Sequence, residues 1–81
     1  MKITTDHPTS SYGIPVIIDD AGQVMDYGPG VKAIRRNMGL NTNDFGSLIG
    51  VSGRTVEGWE QGKRMPGKPE LMLISQLIKG E

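Results

Sequence analysis

The sequence predicts a mainly α-helical domain in which four to five short helices follow an N-terminal β-hairpin. Two short β-prone runs flank the turn-forming stretch DDAG within residues 14–27. From residue 29 onward, apolar residues recur at spacings of three and four, and glycines close the first helical segments. This change of period divides the chain into residues 1–28, a tail with a β-hairpin, and residues 29–81, a helical domain.

Length and composition exclude several classes of protein. The 81 residues form one small domain, near the size at which self-association often helps stability. Without cysteine the chain has no disulfide frame and no thiolate metal site. No apolar run is long enough to cross a bilayer, and no signal-peptide pattern opens the chain. We therefore expect a soluble cytoplasmic protein without a metal or cofactor and without a membrane partner.

Charge is unevenly distributed, although the nine basic and nine acidic side chains cancel. Residues 1–28 hold one lysine against four aspartates, whereas residues 29–81 hold eight basic side chains against five acidic ones. A net charge of zero argues by itself against a nucleic-acid partner. The basic surplus of the helical part weakens that argument.

The N-terminal part has the weakest pattern. MKITTDHPTSS lacks apolar periodicity, so we expect a mobile tail or an edge segment. Residues 14–18 and 23–27 are the two predicted strands of the hairpin. Pro15 cannot donate a backbone hydrogen bond, so its strand is expected to present that position to an open edge.

Caps and glycine stops indicate the first two helices. Pro29 suits a first helical turn, and Gly39 ends that helix. Its apolar stripe consists of Val31, Ile34 and Met38. Asn41 is the N-cap of the second helix, with Asp44 three residues later as in a capping box, and Gly50 follows that helix.

The third helix is short and contains two glycines. Ser52 is its N-cap and Gly62 its stop. An interior glycine costs about 1 kcal/mol relative to alanine. Gly53 and Gly58 therefore indicate a close approach, either by a partner surface or by a neighbouring helix.

The second and third helices together predict a helix-turn-helix. NTNDFGSLIGVSGRTVEGW places two short helices around the turn GVS, and Gly46 at their crossing permits close approach. Their shared core would contain Phe45, Leu48 or Ile49, Val51, Val56 and Trp59. In such a pair, the second helix enters the major groove of DNA with its N-terminal residues against base edges.

The stretch MGLNTNDFGSLIGVSGRTVEGWEQGKRMP resembles the helix-turn-helix of Cro and phage repressors, the XRE family. The resemblance covers about residues 30–79, and the run WEQGKR with Pro66 is its most specific part. It implies a lambda-repressor-like bundle that binds double-stranded DNA. Residues 29–81 would be the DNA-binding domain and residues 52–61 the recognition helix.

The resemblance also assigns DNA contacts by position. The residues assigned to bases are Gly53, Arg54, Gly58 and Thr55, the last also lying beside the DNA backbone. Those assigned to the backbone include Ser52 and Thr42. Thr42 stands where the family often has a phosphate-binding glutamine, and Gly46 where it usually has alanine. Because two of the assigned readers are glycine, recognition would depend on Arg54, on close backbone approach and on phosphate contacts.

The basic side chains support this assignment on chemical grounds. An arginine near the start of the third helix can form two hydrogen bonds with guanine O6 and N7, so Arg54 is the favoured base reader. Lys63, Arg64 and Lys68 cluster after that helix, which favours phosphate contacts over a role in solubility alone.

Three residues have simpler explanations than a functional one. Trp59 is expected in the core rather than stacked on a base. Glu60 is expected to form a local ion pair or turn anchor near Lys63 and Arg64. His7 has no neighbouring nucleophile or carboxylate that would complete a catalytic set, so the chain is not expected to be an enzyme.

We therefore expect a sequence-specific transcription regulator, a small homodimeric repressor or autoregulator of phage or mobile-element type on a palindromic site. The alternative is a protein-interaction module, antitoxin-like, that uses the same scaffold against a protein partner. The dimer is expected to use either the hairpin or the fourth helix, which Pro69 opens. The apolar residues of that helix cover more than one stripe: Leu71, Met72, Leu73, Ile74, Leu77 and Ile78.

Overall fold

A computed structural model describes residues 1–10 and 12–79 of the chain. Three short strands come first: β1 (Lys2–Thr4), β2 (Val16–Ile18) and β3 (Val24–Met25). Four helices follow: α1 (Tyr27–Asn37), α2 (Thr42–Ile49), α3 (Gly53–Glu60) and α4 (Lys68–Lys79). The predicted class, a small helix-turn-helix bundle behind an N-terminal hairpin, is confirmed.

The hairpin belongs to a three-stranded antiparallel sheet with β2 in the centre. Ile17 of β2 pairs with Met25 of β3 on one side and with Ile3 of β1 on the other. The sequence predicted the β2–β3 hairpin but only a tail or edge segment at the N-terminus. β1 is an edge strand because it pairs with β2 alone, and its middle residue, Ile3, is buried in the core.

Two details of the N-terminal part differ from the sequence prediction. Pro15 does not lie at an open edge: it is fully buried just before the central strand, and its carbonyl accepts a hydrogen bond from the Tyr27 hydroxyl at 2.6 Å. Burial raises the pKa of the Tyr27 phenol. Helix α1 begins at Tyr27 rather than at Pro29, with Asp26 as its N-cap.

Two glycines allow α1 to lie close to its neighbours. A Cβ atom at Gly30 would stand 2.7 Å from Cδ1 of Ile17, so α1 packs directly on the central strand. A Cβ atom at Gly28 would stand 2.9 Å from the carbonyl oxygen of Trp59, at the far end of α3. Side chains at these two positions would push α1 away from the central strand and from the end of α3.

The turn between α2 and α3 is equally tight. Gly50 has a φ of 79°, the left-handed conformation predicted for this stop. A Cβ atom at Gly46 would stand 2.5 Å from the carbonyl oxygen of Val51. The close approach expected at Gly46 is thus confirmed, and its contact is the backbone of the turn that leads into α3.

One core joins the sheet to the helices. Its buried members are Ile3, Ile17, Val31, Ile34, Phe45, Ile49, Val56, Trp59, Leu71 and Ile74. Of the two alternatives for α2, the structure buries Ile49 and leaves Leu48 51% exposed. The division of the chain at residue 28 stays a prediction.

Helix α4 has more apolar side chains than the core buries. Leu71 and Ile74 are buried, whereas Met72 and Leu73 remain 44% and 42% exposed. The wide apolar surface expected for this helix is therefore present. Within the described part of the chain, no helix has the length and apolar character needed to span a bilayer.

Candidate nucleic-acid interface

Two side-chain caps fix where α2 and α3 begin. The Ser52 hydroxyl accepts the backbone N–H of Thr55 at 3.1 Å, and the Asn41 side chain accepts the N–H of Asp44 at 2.7 Å. Both N-caps predicted from the sequence are confirmed. Because the caps satisfy first-turn donors, each helix starts at a defined residue, and the first turn of α3 is held at the protein surface.

The first turn of α3 opens onto a shallow depression that we call the α3 surface. It is lined by Ser52, Arg54, Thr55, Glu57, Gly58, Gln61, Lys63 and Arg64. Six of the nine residues assigned to DNA contacts from the sequence therefore lie on one surface. Arg54 is exposed there and makes no ion pair or hydrogen bond with any residue that the structure describes.

Thr42 and Lys68 lie outside the α3 surface. The Thr42 hydroxyl, at the first residue of α2, donates a hydrogen bond to the Glu57 carboxylate at 3.0 Å. Lys68 is exposed at the first residue of α4, and its ammonium lies 3.3 Å from where a Cβ atom at Gly13 would stand. Thr42 is therefore adjacent to the surface through Glu57, whereas Lys68 lies beside the N-terminal loop.

The two glycines of α3 have different surroundings. Gly53 is buried, and a Cβ atom there would overlap the side-chain oxygen of Asn43 in α2. Gly58 is half-buried, and a Cβ atom there would lie 3.5 Å from Cδ of Arg64, an ordinary contact. Close approach to a neighbouring helix therefore explains the glycine at position 53, whereas none of the residues that the structure describes requires one at position 58.

The α3 surface carries three exposed cations and one exposed anion. Arg54, Lys63 and Arg64 supply the positive charge, and Glu57 is the acidic side chain among them. The sequence prediction did not include Glu57 in the site. Its position three residues after Arg54 was the available signal, because such residues are neighbours on one helix face.

Glu60 forms an ion pair with Arg35 rather than with Lys63 or Arg64, which corrects the expectation of a local partner. The Arg35 guanidinium donates to the two carboxylate oxygens at 2.7 and 3.1 Å and to the carbonyl of Leu40 at 2.8 Å. Both side chains are almost buried, at 14% and 10% exposure. The hydrogen bonds that Arg35 donates to the Glu60 carboxylate are the main cause of a raised pKa for Arg35.

The remaining predicted residues have structural roles or none. Trp59 is 4% exposed within the core, as expected. His7 accepts the backbone N–H of Thr9 at 3.1 Å through Nδ1, which is a local turn contact. Among the residues that the structure describes, no three His, Cys, Asp or Glu side chains are grouped as ligands of a metal ion would be.

Two capped helices joined by a tight glycine turn, with Arg54 exposed in the first turn of the second helix, define a helix-turn-helix protein. A family model described as helix-turn-helix, HTH_3, matches residues 31–80, and the chain belongs to this family. The resemblance to the XRE type is confirmed, and with it a role in DNA binding and transcription regulation. The family is DNA-binding and non-enzymatic. A search of curated proteins finds no match.

Proposed function

We propose that the protein is a sequence-specific repressor or autoregulator that binds a palindromic DNA site as a homodimer, with α3 in the major groove. The observation that carries this proposal is the exposed guanidinium of Arg54 in the first turn of α3, which is not bound to any described residue. Its neighbours in α3 are small, so the helix can approach the bases closely. The resemblance to phage repressors favours a regulator of phage or mobile-element type.

Arg54 is the base reader in this proposal. Its long side chain can reach the floor of the groove and form two hydrogen bonds with guanine. Gly58 and Thr55 would lie against the bases beside it, where small side chains leave room for the helix backbone. Gly53, assigned to the bases by the resemblance, is buried against Asn43 and is not exposed to a base. Arg54 lines the depression and is exposed, so a guanine edge can approach its guanidinium from solvent.

Contacts to the DNA backbone would surround this reader. Lys63 and Arg64 follow α3 on the same surface, and Ser52 opens it. Thr42 lies next to Glu57, and Lys68 stands further out at the start of α4. Such contacts set the register and affinity on DNA but carry no sequence information.

The homodimer would form through α4. Met72 and Leu73 expose apolar surface that a monomer leaves in water, and burying it contributes about 25 cal/mol per Å². A single helix-turn-helix with one arginine reader also contacts few bases. A two-fold dimer doubles the contacts on half-sites about 34 Å apart. We expect dimers at micromolar concentration or below.

Selection of bound duplexes from a random DNA pool tests the sequence-specific function, followed by affinity measurements across salt concentrations. We expect one enriched motif, arranged as a palindrome, and a linear fall of log affinity with log salt. The protein's own promoter is the first natural fragment to test for autoregulation. Absence of any enriched motif, with no salt-dependent binding, would instead favour the protein-interaction module.

Sedimentation tests the dimer with matched surface variants. Leu73→Lys is expected to give monomers, because it places a charge in the proposed interface, whereas Val24→Lys on edge strand β3 is the control. Both residues are exposed, at 42% and 40%, so neither change should disturb the core. Dimers lost only with Val24→Lys would move the interface to the sheet. A wild-type monomer both free and on a palindromic site would contradict the dimer.

A further inference from the structure

The first residue of α3 has no side chain, although this is where the helix begins to face DNA in the proposed function. The side chain of Asn43, from α2, occupies the space instead. We propose that Asn43 is a base reader of this protein and that it recognises an adenine in the major groove. The inference rests on the proposed function, because it assumes that α3 lies in that groove.

The geometry around Gly53 is unusually tight. A Cβ atom there would overlap the Oδ1 atom of Asn43 and would stand 2.9 Å from its Cγ atom and 3.0 Å from its backbone nitrogen. Gly53 is consequently buried, whereas Asn43 itself is exposed. The carboxamide therefore covers the start of α3 and keeps part of its surface in solvent.

The carboxamide of Asn43 also has no hydrogen-bond partner among the described residues. Asn41 uses its side chain to cap α2, and Thr42 donates its hydroxyl to Glu57. Among the described residues, Asn43 contributes only its backbone carbonyl to a side-chain hydrogen bond, which it accepts from the Ser47 hydroxyl at 3.0 Å. Its side-chain donor and acceptor groups are thus available to a ligand.

A carboxamide suits one base edge in particular. Asparagine can donate to N7 of adenine and accept from its N6 amino group at the same time, which distinguishes adenine from the other bases in the major groove. In a helix-turn-helix the first helix crosses the DNA backbone. Here the missing side chain of Gly53 lets the carboxamide of Asn43, on that helix, lie directly on α3.

Selection of bound duplexes with wild-type and Asn43→Ala proteins tests the inference. We expect the wild-type motif to contain one adenine whose enrichment disappears in the variant, with about a tenfold loss of affinity for the adenine site. Sites with another base at that position should bind both proteins equally. Asn37→Ala, a change at an exposed asparagine that ends α1, is the matched control and should leave the motif unchanged.

Gly53→Ala provides a second, independent variant. The added methyl group would displace the Asn43 carboxamide, which can rotate away, and would also press on the Asn43 backbone nitrogen, 3.0 Å from the new Cβ atom. Some loss of stability is therefore expected together with displacement of the reader. We expect loss of the same adenine preference, and the double variant with Asn43→Ala should lose no further preference at that position. Thermal melting confirms that each variant is folded.

Three outcomes have distinct meanings. A wild-type motif that Asn43→Ala leaves intact overturns the inference but not the proposed function. A uniform fall in affinity on all sequences also overturns it, because that result is expected of a phosphate contact. If the folded wild-type protein selects no motif at all, the proposed function fails and this inference fails with it.

Discussion

The two ends of α3 use their polar groups in opposite ways. At the C-terminal end, Trp59 is buried and Glu60 is bound through two hydrogen bonds to Arg35. At the N-terminal end, Ser52 caps the helix, while Arg54 extends into solvent. The comparison shows how a helix of eight residues can present a DNA-binding turn: one end is fixed by the core and the other is left for a partner.

The largest expected effect is on stability and comes from the C-terminal end of α3. Glu60→Ala would leave the Arg35 guanidinium without its anion in an almost buried position, which should lower the free energy of unfolding by about 3 kcal/mol. Urea unfolding measures the change. Glu57→Gln, at an exposed carboxylate of the same helix, is the control and should change stability by about 0.5 kcal/mol or less.

Replacing both members of the Arg35–Glu60 ion pair with apolar residues tests this prediction further. Arg35→Met combined with Glu60→Leu removes both charges, so much of the loss caused by Glu60→Ala should be recovered. Equal stability of the wild type and Glu60→Ala would show that the pair does not hold α3. The two ends of the helix would then differ in exposure alone.

Substitutions at the N-terminal end of α3 should change DNA binding rather than folding. Arg54→Ala should cost about 1 to 3 kcal/mol on the preferred site and abolish discrimination at one guanine, with unfolding unchanged. Arg64→Ala, on the same surface, should weaken all sequences alike and make the salt dependence shallower by about one unit. Equal weakening of every sequence by Arg54→Ala would make Arg54 a phosphate contact.

Much of this arrangement was predictable because it is local in sequence. The caps at Ser52 and Asn41 and the stop at Gly50 follow from residue types within one helical turn. The ion pair between Arg35 and Glu60 was not, because its partners are 25 residues apart and no spacing rule connects them.

The N-terminal part also depends on contacts between residues that are distant in sequence, which local patterns do not predict. Strand β1 has three residues and pairs with β2 across a long loop, so its local sequence carries almost no signal. Pro15 likewise has a distant partner, because its carbonyl accepts a hydrogen bond from Tyr27, twelve residues away. On the α3 surface, Glu57 had a local signal in its spacing from Arg54, which the prediction did not use. The contact of Asn43 with Gly53 joins α2 to α3, and no spacing rule predicts it.

Two glycines near the C-terminal half of α3, Gly28 in α1 and Gly58 in α3 itself, should respond to substitution in opposite ways. Gly28→Ala should lower stability by about 1 to 2 kcal/mol, because its Cβ atom would stand 2.9 Å from the carbonyl oxygen of Trp59 and the backbone there cannot move aside cheaply. Gly58→Ala should instead raise stability by up to about 1 kcal/mol, since its Cβ atom meets only the Arg64 side chain at 3.5 Å. Thermal melting of the pair should show shifts of opposite sign, and shifts of the same sign would contradict the contrast.

The Gly58→Ala protein also tests how closely the helix approaches DNA. If the backbone of α3 lies against DNA at this position, the variant should melt higher than the wild type and yet bind its motif more weakly. Titration of the selected duplex measures the affinity. A variant that melts higher and binds as well as before would show that Gly58 has no role in DNA contact.

The smallest expected effect concerns the one exposed anion on the α3 surface. Glu57→Gln removes a negative charge close to where phosphates would lie, while its side-chain oxygen can still accept the Thr42 hydrogen bond. Binding to any duplex should tighten by about 0.5 kcal/mol at low salt, and the gain should shrink as ions screen the charge over about 10 Å. Asp6→Asn makes the same change of charge on the N-terminal part, at another exposed carboxylate, and should have less effect. Equal gains from both variants would show that total charge, rather than the position of Glu57 beside Arg54, sets the affinity.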